Sequence, residues 1–260
     1  MGEIREVVDS LKGTKTGQAA DELLSLIPRA INVALEKPRR WIVNKEINFE
    51  ATTKLLQQKL QHIDPQDIHE PEANIGVPAL MALSYSMDSE DLQKMYANLL
   101  ARAMTKGYEH TVHPGFVDII KQLSPFDALL LQKLKSNSVN PMLRIKIVSD
   151  ENSGFTTKLK YFISESLDYD YHDVEVSVSN LNRLGLINAE LDQFYTTESN
   201  YDDLINSTLL KNWENEIEQS RGLDQEYPKV EYDKKMIEVT PYGKTFTQVC
   251  LSEQPLTPTH

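Results

Sequence analysis

The sequence predicts a mainly α protein with a smaller α+β part: an N-terminal helical bundle followed by a winged-helix-like domain. Three observations carry that prediction. Between residues 17 and 136, apolar side chains recur at three- and four-residue spacing through segments joined by short connections, the pattern of antiparallel packed helices. From residue 137 the texture changes, and short alternating runs read as strands. From residue 124 onward the order is helix, strand, helix, helix, strand, wing, strand, helix, which is winged-helix order.

Residues 17–36 carry a helical stripe interrupted by Pro28, followed by the basic, Trp-bearing run KPRRWIV (37–43). A second helix is expected over 46–63, with Leu55, Leu56 and Leu60 on one side. The loop DPQDIHEPEANIG (64–76) precedes a short buried helix, VPALMALSYS (77–86), with Pro78 near its first turn. DSEDLQKMYANLLARAM (88–104) has acids in its first turn and apolar groups at 92, 95, 96, 99, 100 and 103, and Gly107 ends it. HPGFVDIIKQL (113–123) puts Phe116, Ile119, Ile120 and Leu123 on one face. SPFDALLLQKLKS (124–136) opens with Ser124 as cap, Pro125 at the first position and Asp127 where a capping acid sits.

Beyond it, PMLRIKIVS (141–149) alternates and reads as a strand, and FTTKLKYFISES (155–166) reads as a helix. HDVEVSVSNLNRLGLI (172–187) is expected to be helical up to Gly185 and then extended. Residues 192–233 read as a long acidic wing insertion with little periodicity. KMIEVT (235–240) is a strand and TPYGKTFTQVC (240–250) a helix led by Thr240 and Pro241. The expected domains are therefore 1–123, with 1–45 as a separable amphipathic arm, 124–251 with the insertion 192–233, and a tail over 252–260.

Of the 260 residues, 40% are hydrophobic and 25% charged, which suits a globular chain with a real core. The net charge of −12 is uneven. Residues 1–139 hold 16 basic and 18 acidic side chains, residues 140–260 hold 11 and 21. A phosphate backbone is repelled by that second half, so a nucleic-acid partner is disfavoured. One cysteine, no apolar leader and no long uncharged apolar run point to a cytoplasmic protein.

Candidate sites are few. Asn98 and Arg102 lie one turn apart on the 88–104 helix. They read as polar brackets of the packed bundle, Asn98 bonded to a loop backbone and Arg102 paired with an acid. His110 and His113, beside Glu109, have metal-ligand chemistry, but Pro114 makes His113 a cap residue and no metal is expected. Cys250 reads as a buried structural thiol. Asn180, Asn182 and Arg183 could contact a partner from the 172–184 helix, where Asp173 and Glu175 oppose DNA. Arg39, Arg40 and Trp41 could seat residues 17–43 on a membrane surface, peripheral to the inner membrane. SLKGTKTGQ (10–18) lacks phosphate-loop spacing, so no cofactor is expected. No nucleophile, base and orienting group come together, so no enzyme is expected.

The stretches DLQKMYANLLARAM, VHPGFVDIIKQLSPFDALLL, NLNRLGLI and VTPYGKTFTQVC, in that order, resemble the abortive infection alpha family of bacterial proteins. The likeness runs from residue 70 to 251, through Ala97 to Ala101, His113, Pro114, Phe116, Leu184 to Leu186, Pro241, Gly243 and Cys250. It implies a role in phage resistance in which the infected cell is sacrificed or arrested. It implies no catalytic residue or ligand. A protein partner or a homo-oligomer is expected, with a phage component as trigger. The alternatives are a winged-helix DNA-binding regulator and a membrane-acting effector.

Overall fold

The computed structural model describes residues 31–34, 49–85, 90–108, 110–149, 154–163, 170–190, 192–220, 228–252 and 256. The protein is mostly helical with two small sheets. Two compact units emerge, one from residues 1–125 and 245–260, the other from 126–244. The chain passes from one to the other at 125/126 and back at 244/245, so residues 245–251 fall in the first unit.

In the first unit, α1 (Phe49–Leu60), α2 (Ala73–Tyr85), α3 (Glu90–Ala103) and α4 (Phe116–Ile120) follow one another. Leu56, Leu60, Leu80, Leu83, Tyr96, Leu99, Leu100, Phe116 and Ile120 are buried between them, as their helical spacing requires. The loop after α1 is tied to the end of α3: the His69 amide donates to the Met104 carbonyl (2.8 Å) and the Lys106 amide to the Asp67 carbonyl (2.9 Å). Only residues 31–34 of the 17–36 segment are described, and they are helical.

The second unit begins with α5 (Pro125–Ser136). A three-stranded antiparallel sheet follows in the order β2–β1–β4, formed by β1 (Pro141–Val148), β2 (Phe155–Phe162) and β4 (Lys229–Met236). α6 (Tyr171–Arg183) starts at an Asp170 cap and leads to β3 (Ile187–Asn188), which pairs with β5 (Glu238–Val239). The stretch 155–166, expected to be helical, is strand over Phe155–Phe162. Its alternating Thr, Lys and aromatic residues fit a pleat once β1 supplies a partner, and that pairing overrides the helical reading.

The insertion is also more ordered than expected. After a short 3₁₀ turn (Glu198–Tyr201) come α7 (Asp202–Ile205) and α8 (Thr208–Ser220), and β4 begins at Lys229. Leu209, Leu210, Trp213 and Ile217 recur at helical spacing, a stripe hidden among acids. Leu143 and Ile145 of β1 share a core with Leu204, Leu210 and the fully buried Tyr201. Tyr201 also bonds at both ends of its hydroxyl: it donates to the Lys235 carbonyl (2.9 Å) and accepts from the Tyr195 amide (2.9 Å). The Tyr195 hydroxyl in turn accepts from the Asn140 amide (3.0 Å).

The distant pieces NRLGLI and VTPYGKTF meet at the Leu186 carbonyl. Gly185 takes φ +71° at the exit of α6. The Leu186 carbonyl then accepts from the Thr240 amide (3.1 Å), and Thr240 Oγ1 accepts from the Gly243 amide (2.9 Å) at the start of α9 (Pro241–Phe246). A Cβ on Gly243 would lie 2.0 Å from the Leu186 oxygen. Gly243→Ala is therefore expected to cost about 1–3 kcal/mol in a urea titration. Gly185→Ala meets no neighbour and is expected to cost about 1–2 kcal/mol, from its left-handed backbone alone.

Candidate functional site

The polar residues of α3 find their partners far along the chain. α9 runs into a single wide π turn, Thr247–Leu251, that packs on α3. Asn98 Nδ2 donates to the Cys250 carbonyl (2.9 Å) and Arg102 Nη1 to the Val249 carbonyl (3.0 Å). Both side chains are buried, at 2% and 5% exposure, so these bonds form out of water. A helix end leaves carbonyls without intrahelical donors, and two side chains one turn apart supply them. Phe246 completes the contact edge-on to Phe116, with centroids 5.3 Å apart. For Arg102, the sequence reading set an acid opposite the guanidinium; this bond goes to main chain, which residue types alone do not reveal.

Cys250 lies inside the same contact. Burial pushes its thiol well up from the ordinary range, opposed in part by the Arg102 charge. A protonated, enclosed thiol is a poor nucleophile. Tyr96, on the same helix, is pushed up by its own burial and then by Asp118 and Cys250. Both groups are buried within the first unit.

The family model for abortive infection alpha matches residues 44–250. The chain belongs to the abortive infection alpha family. No match was found among curated proteins or among solved structures. The family match begins just before α1 and runs to Cys250, so both halves of the α3 contact lie within it.

Of the interaction candidates on α6, Asn180 and Asn182 are partly buried and Arg183 is exposed. Asp127 of α5, 4% exposed, accepts from Ser177 Oγ (2.5 Å) and from Asn180 Nδ2 (3.0 Å). Asn180 Oδ1 accepts from Arg183 Nη2 (2.7 Å), and Asn182 Oδ1 accepts from the Ala189 amide (2.9 Å). Asp127 was read as a cap residue of its own helix, and its reach to α6 was not foreseen. His113 Nδ1 accepts from the Gly115 amide (3.0 Å) at the start of α4, and His110 is exposed. Among the described residues no group of three His, Cys, Asp or Glu side chains could hold a metal. Arg39, Arg40 and Trp41 lie outside the described residues, as does most of 17–43.

One charged cluster had no sequence signal. Glu190 Oε1 accepts from Lys160 Nζ (2.6 Å) and from the buried Tyr161 hydroxyl. Lys160 and Tyr161 together hold the Glu190 carboxyl below the usual carboxylate range, while burial pushes Tyr161 up. Because the folded pKa of Glu190 is the lower one, its stabilisation is full above the unfolded carboxylate range. It fades as pH falls through the folded value. Glu190→Gln is expected to flatten the acid limb of a stability–pH curve. Asn98→Ala is expected to cost about 1–3 kcal/mol, because it strands a buried carbonyl. In the native protein Cys250 should stay silent to a thiol reagent and react only in step with unfolding, a shift that Asn98→Ala brings to lower urea.

Proposed function

We propose that the protein is a bacterial phage-defence factor of the abortive infection type, acting in the cytoplasm through protein contacts rather than catalysis. Membership of the abortive infection alpha family carries this reading. The non-catalytic part draws support from the candidate polar groups, since Asn98, Arg102, Asn180 and Asn182 all make bonds within the fold. The winged-helix reading of the second unit rests on the sequence order from residue 124 onward; β1 pairs with β2 and β4, while β3 pairs with β5 in a separate sheet.

A DNA-reading role for α6 is weaker. Base edges are read by Arg, Lys, Asn or Gln side chains. Here Asn180 and Asn182 face inward bonds, and Asp173 and Glu175 accompany Arg183. Among the described residues no helix is long and apolar enough to cross a membrane. A surface-bound role for residues 17–43 stands as the alternative; a full-length chain and one lacking residues 1–45 would then differ in liposome flotation.

Phage plating on bacteria carrying the gene tests the reading, with host survival followed at high multiplicity. Fewer plaques together with host death or arrest are expected. Unchanged plating across a broad phage panel overturns it.

A further inference from the structure

β2 is an edge strand, and its two halves are treated differently. The Lys158–Phe162 half is guarded: it holds two lysines, its pairing with β1 is irregular between Leu143 and Lys146, and the Lys160 amide is taken by Glu175 Oε1 of α6. Lysines, bulges and side-chain cover are the usual means of blunting a sheet edge. The Phe155–Thr157 half has none of them. It pairs regularly with Val148, Ile147 and Lys146, and all three residues are exposed, Phe155 at 55%. Among the described residues, 155–157 make no main-chain bond other than their ladder with β1.

We propose that this half-strand pairs with the same half-strand of a second copy, joining two sheets into one of six strands. The inference rests on the reading that the protein works through protein contacts, and names the surface. Chemistry favours a second copy as occupant. Two identical edges related by a two-fold axis run antiparallel and set one residue opposite itself. Only residues 155–157 are regular, so the axis passes Thr156. That register faces Thr156 with Thr156 and Phe155 with Thr157, pairs of β-branched and aromatic residues that favour a sheet. It sets no like charges opposite one another, whereas a register centred on Lys158 opposes two lysines. With −12 on each copy, the contact is weak at low salt and strengthens as salt screens the repulsion.

Single-cysteine variants of the full chain test the register, because Cys250, the only native cysteine, is fully buried. Under mild oxidation Thr156→Cys should give a disulfide-linked dimer. Thr157→Cys should not, since its copies are diagonal neighbours about 7–8 Å apart, beyond disulfide reach. Sedimentation velocity of the unmodified protein should show reversible dimer rising with concentration and salt, lost in Thr156→Lys with an unchanged circular dichroism spectrum. A monomer at every concentration, or equal cross-linking of both cysteine variants, overturns the proposal. The outcome is read on purified protein and is independent of plating, so defence without dimer, or dimer without defence, separates the two readings.

Discussion

The first unit depends on two hydrogen bonds between side chains of one helix and carbonyls 147 and 152 residues further on. Asn98 and Arg102 are too polar to be buried without partners, and the carbonyls of Val249 and Cys250 sit where a wide turn leaves them outside a regular ladder. Each side solves the other's problem. Around that polar pair, Phe116 and Phe246 bring the apolar surface that makes the contact dry. α3 can thus carry an amide and a guanidinium along its buried C-terminal half and remain a core helix.

The second unit solves a similar problem with tyrosines. An insertion rich in acids would gain little by burying itself, yet Tyr201 anchors it by filling the core with its ring and bonding β4 with its hydroxyl. The hydroxyl of Tyr195 carries the connection on to the start of β1. The acids stay on the outer face of α8, and a few long amphipathic side chains do the holding.

Much of this was legible because helices announce themselves locally. The spacing in α3, the Ser-Pro start of α5 and the Thr-Pro start of α9 each lie within a few residues. The Gly185 and Gly243 motifs were legible as texture, and the shared Leu186 carbonyl supplies their cause. β2 was misread because strand propensity depends on a neighbour that local sequence does not show. α8 was missed because a four-residue apolar stripe is diluted by glutamates. The partners of Asn98, Arg102 and Asp127 were beyond reach for the same reason: each lies on an element distant in sequence, and pattern carries no address.

The return of residues 245–251 to the first unit has a consequence in time. A ribosome adds roughly 5–20 residues per second. Between the emergence of Asn98 and that of its partner at Cys250 lie 152 residues, so on the order of ten seconds pass with the α3 amide and guanidinium unsatisfied. The segment from 126 to 244 has all its own strands by then and can settle first. Helices α1 to α4 emerge long before the turn that supplies the carbonyl partners of Asn98 and Arg102.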